Sequence, residues 1–299
     1  MAILTGINTR LRGSAGDWTY ARLNGQTVAK QKVAPKDVPV RSYRQMLRRV
    51  QWANIVNVWR AFSGNNHPSF ENRGARVSDF NEFMSANLGS VPVYLTKDQA
   101  RQGGAVIAAY QVTRGSLPSI VVEEVPGTGG APGKVSTDIA LGSLTVDAST
   151  TVKEFSEAVV SNNGDYFHGD QITCFLARQT VNATSQVPYV KIDAMEVTLD
   201  LNDNSTKLYD VVDAEGFSNN NGRLGTSLTN FTGGIVWIHS RRAKSKTEVS
   251  SQRFLVKGNL LQNYTTEAAR TEAILSYGGV LGDQFLTPND ENVAAPVNP

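Results

Sequence analysis

The feature that most constrains the fold of this chain is the Asn-Gly pair at residues 24–25, which lies between two alternating segments, Trp18–Leu23 and Gln26–Val33. Both Asn and Gly tolerate the positive φ angles that a two-residue type I′ turn requires. The sequence therefore predicts an N-terminal β-hairpin over residues 7–33. Two prolines that follow it predict an extended connector.

Two helices are predicted after the connector. The apolar residues of segment 43–62 recur at helical spacing, which predicts the first helix. Ser42 directly precedes this segment and is a suitable N-cap. Ser78 or Asp79 caps the second helix, and Gly89 ends it.

From about residue 91 the pattern changes to short strands joined by Asn- and Gly-rich turns, with two further helices at Val152–Ser161 and Thr266–Tyr277. The sequence predicts an α+β fold in which an N-terminal β-hairpin arm and a helix pair precede a mainly antiparallel β-sandwich body, a C-terminal helix and an extended tail. The predicted strands of the body are Ala105–Thr113, Ser119–Val125, Ser143–Asp147, Gln171–Thr180, Tyr189–Leu201, Leu208–Val212, Gly234–Ser240 and Thr247–Val256.

The same changes in pattern predict the domain organisation. Residues 1–90 form a basic hairpin arm and a helical region, and residues 91–165 form a β-rich middle domain with a short helix. Residues 166–281 form an antiparallel β-sandwich domain. Residues 282–299 contain three prolines and no core-forming period, which predicts an extended C-terminal arm.

Charge is distributed unevenly along the chain. The first 60 residues contain eleven Lys and Arg and two Asp, which is 11 − 2 = +9, whereas the whole chain carries +2. The other 239 residues therefore sum to 2 − 9 = −7. This separation predicts that one end of the chain faces an acidic partner or phosphate.

Other features of the sequence narrow the protein class. No apolar run approaches the roughly 20 residues that span a membrane, and the N-terminus lacks the pattern of a signal peptide. We therefore expect a protein made in the cytoplasm and not secreted, with no membrane partner. The single cysteine, Cys174, lies in a strand-like segment, and we interpret it as a buried core residue.

No motif predicts an active site, so we expect neither an enzyme nor a cofactor. His67, His168 and His239 lack metal-ligand spacing, and the Gly-rich segment 127–133 lacks the Gly-Lys-Ser/Thr ending of a phosphate loop. The adjacent carboxylates Glu123 and Glu124 point to opposite faces of a strand. No metal site is predicted.

Arginines alternate with large aromatic residues in the basic region. This is the composition of protein interface anchors, and it also suits stacking of nucleic-acid bases. The residues predicted to form a subunit interface are Trp18, Tyr20, Arg22, Arg44, Arg48, Arg49 and Trp59. A second basic cluster predicts a contact loop between two strands, formed by Arg241, Arg242, Lys244 and Lys246.

Several short motifs resemble an uncharacterised protein family from phages and mobile elements of Bacteroidota. At the N-terminus they are Gly13-Ser-Ala-Gly16, Asn24-Gly25 and Ser42-x-x-Gln45 followed by Arg48-Arg49. In the second half they are Val197-Thr-Leu-Asp-Leu201, Gly233-Gly-Ile235 with Ser240-Arg241, Phe254-Leu-Val256 and Ala273-Ile-Leu-Ser-Tyr-Gly278. Residues 91–165 match none of the family's motifs. The character of the chain is also similar to neck and tail proteins of crAss-like phages.

The resemblance implies a structural component of a bacteriophage virion, which we expect to be an oligomeric ring at the portal–tail connector or in the tail barrel. The expected partners are further copies of the chain and neighbouring virion proteins such as portal or tail components. Two alternatives stay open. One is a nucleic-acid-binding protein packaged with the genome, and the other is a head decoration, fibre or receptor-binding protein.

Overall fold

The structure is a computed structural model that describes residues 2–4, 13–23, 26–32, 43–62, 69–71, 74, 77–125, 133–243 and 246–278. Contacts divide the chain into two compact units, Met1–Arg41 and Ser42–Pro299. The domain boundaries predicted at residues 90, 165 and 281 do not coincide with this division and stay predictions. The predicted arm at 282–299 lies outside the described residues.

The described residues contain both strands and helices, which confirms the α+β class. The strands are β1 Ala2–Leu4, β2 Gly13–Ala15, β3 Trp18–Leu23, β4 Gln26–Gln31, β5 Gln111–Thr113, β6 Val122–Val125, β7 Lys134–Ala140, β8 Gln171–Val181, β9 Pro188–Thr198, β10 Ser218–Asn220, β11 Arg223–Gly225, β12 Gly233–Ala243, β13 Lys246–Val249, β14 Gln252–Arg253 and β15 Leu255–Lys257. The helices are α1 Tyr43–Ala61, α2 Asp79–Asn87, α3 Lys97–Arg101, α4 Val152–Asn162, α5 Leu208–Val211, α6 Leu260–Asn263 and α7 Glu267–Gly278.

The first unit contains an antiparallel sheet with the strand order β1-β4-β3-β2. Leu23 of β3 pairs with Gln26 of β4, so two residues connect these strands. This pairing confirms the hairpin that the Asn-Gly pair predicts.

The second unit is built around a central antiparallel sheet with the order β13-β12-β8-β9, in which β15 also pairs with β12. Strand β8 pairs along its whole length with β9. Side chains of β8 alternate between the two faces of the sheet, and residues 172–177 are all buried. A strand buried on both faces needs a packing layer on each side.

Helices cover one face of the central sheet. Phe175 and Val236 of the sheet pack in one core cluster with Phe62 and with Phe83 of α2. The rings of Phe62 and Phe175 meet edge to face, with 5.3 Å between their centroids. The predicted helix pair therefore belongs to the core of the second unit.

A smaller sheet and helix α4 cover the other face. The smaller sheet has the order β10-β11-β7-β6. Its inward residues and Phe155 of α4 pack with Cys174 and Trp237 of the central sheet. Cys174 is fully buried, as predicted, and burial raises the pKa of its thiol. The second unit thus contains two packed sheets with a helical layer outside one of them.

The structure corrects three predicted strands. The strand predicted at Ala105–Thr113 is reduced to β5, Gln111–Thr113, and residues 105–110 form no strand. Leu208–Val211 is the single helical turn α5, because apolar residues at positions 208, 211 and 212 also fit the spacing of one turn. Residues 143–147 form no strand, since the Asp147 side chain accepts hydrogen bonds from the backbone of Ser149 and Thr150 and closes a turn.

Candidate interaction surface

Two buried asparagines fix the rotation of α1 on the core. Asn54 donates to the carbonyl of Val106 at 2.9 Å and to the Tyr110 hydroxyl at 2.6 Å, and it accepts from the Val106 amide at 2.8 Å. Asn57 donates to the carbonyl of Gly104 at 2.7 Å. Because a buried amide is costly to leave unpaired, these bonds allow one orientation of the helix.

The orientation of α1 separates its residues into an inner and an outer face. The fully or almost fully buried apolar residues of the inner face are Met46, Val50, Ile55 and Val58. Arg48, Arg49 and Trp52 are exposed on the outer face. Arg48 and Trp52 are one helical turn apart, so they are neighbours on the surface.

The outer face of α1 combines exposed positive charge with an exposed indole. Trp52 is 47% exposed, and α1 contains four arginines and no acidic residue. Arg48 donates a weak hydrogen bond to the Gln51 side chain at 3.4 Å. We name Arg48, Arg49 and Trp52 the α1 basic face.

Other residues of the predicted interface have different surroundings. In the first unit Trp18 is 44% exposed and Tyr20 is half-buried. Arg22 and Arg44 lie on β3 and α1, and their side chains are outside the described part of the structure.

Trp59, the last residue predicted for the interface, packs within the second unit. Its ring lies 5.7 Å from that of Phe80 and 5.4 Å from that of Phe83, measured between centroids. It is half-buried against the helical core. Much of its surface therefore stabilises the fold.

Three residues of the predicted contact loop lie on strands in the structure, Arg241 and Arg242 on β12 and Lys246 on β13, and two of them pair internally. Arg241 makes two hydrogen bonds to the Asp170 carboxylate, from Nε at 2.8 Å and from the guanidinium at 2.7 Å. Its guanidinium also lies 4.6 Å from the centroid of the Phe167 ring. Arg241 thus holds together β12 and the turn before β8.

Asp170 is the centre of this cluster, and its side chain is 2% exposed. Burial alone would raise its pKa, but hydrogen bonds from Arg241, the Phe167 amide and His239 outweigh burial and lower it. Burial lowers the pKa of His239 despite the carboxylate 2.9 Å away. The charged pair at neutral pH is therefore Asp170 with Arg241, beside a neutral histidine.

Lys246 also has internal partners. Its ammonium lies 3.0 Å from Glu71, whose side chain is 2% exposed, and 3.2 Å from Glu248. Burial alone would raise the pKa of Glu71, but bonds from the Ser116 backbone and from Lys246 help to lower it to about 2. Arg242 is exposed, and Lys244 lies outside the described residues.

The remaining predicted features add no site. No group of three or more His, Cys, Asp and Glu that could hold a metal ion occurs in the described ranges. His168 lies in an exposed turn, as expected, and His67 and residues 127–132 of the Gly-rich segment are outside the described structure. Within the described residues no helix is long and apolar enough to cross a membrane.

Comparison with known proteins yields no relative. No protein-family model, curated protein or solved structure matches this chain.

Proposed function

We propose that this protein is a structural subunit of a bacteriophage virion and assembles with copies of itself through the α1 basic face. The observation that carries the proposal is the exposure of Trp52 beside Arg48 and Arg49 on a helix that the core holds rigidly. Trp and Arg are the residues that most often anchor protein interfaces.

The electrostatics of α1 favour an acidic partner. A helix N-terminus carries partial positive charge, and α1 has no acidic residue in its first turn to compensate it. Arg48 and Arg49 add further positive charge near that end. An acidic surface that covers this face would relieve the mutual repulsion and remove the indole from water.

A second copy of the chain is the partner that we propose for this face. Residues 61–299 carry a net charge of −7, against +9 for the preceding segment. A contact between the basic face of one copy and an acidic surface of the next is heterologous, and such contacts close into a ring when the rotation permits. The first unit is also basic and is a second candidate for such a contact.

The sequence resemblance to phage and mobile-element proteins supports a virion protein and does not itself assign its place in the particle, and the charge separation along the chain supports a ring. We propose the portal–tail connector or the tail barrel, with neighbouring virion proteins as further partners.

The test is the oligomeric state of the full-length protein at about 100 µM in physiological salt, measured by sedimentation velocity and negative-stain microscopy. We expect a ring, and we expect Trp52→Ala to weaken association about tenfold or more, since a buried interface aromatic commonly contributes above 2 kcal/mol. Val211→Ala, a change at another exposed apolar residue, is the control and leaves association unchanged. A compact monomer at this concentration contradicts the proposal.

The same surface is compatible with nucleic acid, because arginine and tryptophan also contact phosphates and bases. A fluorescence titration with a DNA duplex separates the two functions. Binding that weakens steeply with salt, in a protein that stays monomeric, would favour the packaged nucleic-acid-binding protein. A flat isotherm at low salt removes that alternative.

A further inference from the structure

A cleft of about 300 Å³ lies on the outer face of the smaller sheet, and none of its lining residues belongs to α1. Strands β6 and β7 and the turn between β10 and β11 line it. Its polar residues are Glu123, Ser136, Thr137, Asp138, Asn220, Asn221 and Arg223. The volume is at the lower end of the range for small-molecule sites.

Ser136 forms part of this cleft and has an unusual side chain. The residue is 4% exposed, and its Oγ is the one buried side-chain polar atom of the described residues that has no hydrogen-bond partner. Buried hydroxyl groups are nearly always paired, because an unpaired one is destabilising. An orphaned hydroxyl in the lining of a cleft indicates a ligand group that pairs with it.

The register of the sheet brings a carboxylate beside this hydroxyl. Glu123 pairs directly with Ser136 across β6 and β7, so both side chains are on the same face about 5 Å apart at Cβ. Asp138 follows Ser136 by two residues and shares this face. One oxygen of Asp138 accepts from the Val121 amide at 3.1 Å.

A cation completes the lining from the other side. Arg223 follows the turn of Asn221, which has φ of 54°, and Gly222, which has φ of 80°. Neither Glu123 nor Arg223 forms an ion pair with a described residue, and both are exposed. The cleft therefore offers free acceptors at the carboxylates, a free donor at the guanidinium and a hydroxyl that does both.

The geometry points to a neutral saccharide as the ligand of this cleft. Each hydroxyl of a sugar donates one hydrogen bond and accepts others, so adjacent hydroxyls can bind acceptor-only and donor-only groups together. Val121, which is 53% exposed, gives the C–H face of a sugar ring an apolar surface. A ligand of one charge sign would instead face a like charge at Glu123 or Arg223.

Saturation-transfer NMR on the full-length protein tests this site. The probes are the methyl glycosides of glucose, galactose, mannose and N-acetylglucosamine at millimolar concentration, with glycine as a zwitterionic comparison. We expect transfer from at least one glycoside and an affinity about tenfold lower in Glu123→Gln, because the charged acceptor becomes a neutral amide that accepts a weaker hydrogen bond. Transfer from none of the glycosides, or from glycine alone, overturns the proposal.

Two further variants test whether glycoside binding occurs at this cleft. Glu124→Gln changes the neighbouring carboxylate on the opposite face of β6, which pairs with Lys257 at 2.8 Å, and leaves glycoside binding unchanged. Ser136→Ala removes the orphaned hydroxyl, so it raises the melting temperature and weakens binding. A lower melting temperature, or equal loss of binding in Glu124→Gln, contradicts the assignment.

Discussion

Two clusters of basic residues look alike in the sequence and differ in the folded protein. On the α1 basic face, Arg48 and Arg49 are exposed next to Trp52. In the second cluster, Arg241 of β12 binds the buried Asp170 and Lys246 of β13 binds the buried Glu71. The difference shows that a run of cations in the sequence does not by itself indicate an external partner, because the fold can pair such cations with buried carboxylates.

The two clusters cannot be distinguished from the sequence alone, because the internal partners of the second cluster lie far away along the chain. Asp170 is separated from Arg241 by 71 positions, and Glu71 from Lys246 by 175 positions. Each pair forms because strands and connecting segments remote in sequence become neighbours. On α1, in contrast, the exposed pattern arises within one helix.

The largest expected effect is at Asp170. Asp170→Asn leaves Arg241 without its carboxylate, and breaking a mostly buried charged pair typically costs about 3 kcal/mol or more. The free energy of unfolding in urea should fall by about that amount. A loss below about 1 kcal/mol would contradict a structural role for this cluster.

Asp200→Asn is the matched control for that change. Its side chain is 42% exposed, 3.8 Å from His168 in an exposed turn. Surface pairs contribute little, so the free energy of unfolding should change by less than about 1 kcal/mol.

An intermediate effect is expected from Glu71 and depends on pH. The folded pKa of about 2 lies below the ordinary 4.5, so the carboxylate stabilises the fold fully above pH 4.5 and progressively less as the pH falls to 2. Glu71→Gln should remove this part of the pH dependence, on the order of 2 to 3 kcal/mol between those limits. Urea unfolding of both proteins across that range measures it, and parallel curves would contradict it.

The smallest effect on folding is expected on the α1 basic face. Arg48→Gln with Arg49→Gln removes two exposed charges, and surface substitutions of this kind change the free energy of unfolding by no more than about 0.5 kcal/mol. Urea unfolding at a concentration where the protein is monomeric checks this. A loss as large as that of Asp170→Asn would place these arginines in the fold and remove the contrast between the clusters.

Local signals in the sequence predicted much of the fold. The Asn-Gly hairpin, helix α4 and the long strands β8, β9 and β12 each follow from a strong periodic pattern. Strand β7 was not predicted, although Val135, Thr137 and Ile139 alternate and are buried. The placement of α1 against the central sheet depends on contacts between distant residues.

The candidate surface was predicted in part. Arg48 and Arg49 were among the residues predicted for the interface, and the structure adds the exposed Trp52 to them. The sequence could not distinguish the exposed Trp52 from Trp59, because the ring of Trp59 packs on Phe80, which belongs to another helix. Asn54 and Asn57, which orient the face, were also missed. Amides at helical spacing among apolar residues were the available indication of buried anchors.

The most direct test of the α1 basic face is the native mass of a charge-reversed protein. Arg48→Glu with Arg49→Glu should convert the expected ring to a folded monomer, measured by sedimentation velocity in physiological salt. Arg114→Glu with Arg253→Glu, at two other exposed arginines, should leave the ring intact. An intact ring in the first variant, or equal dissociation in both, would contradict the account.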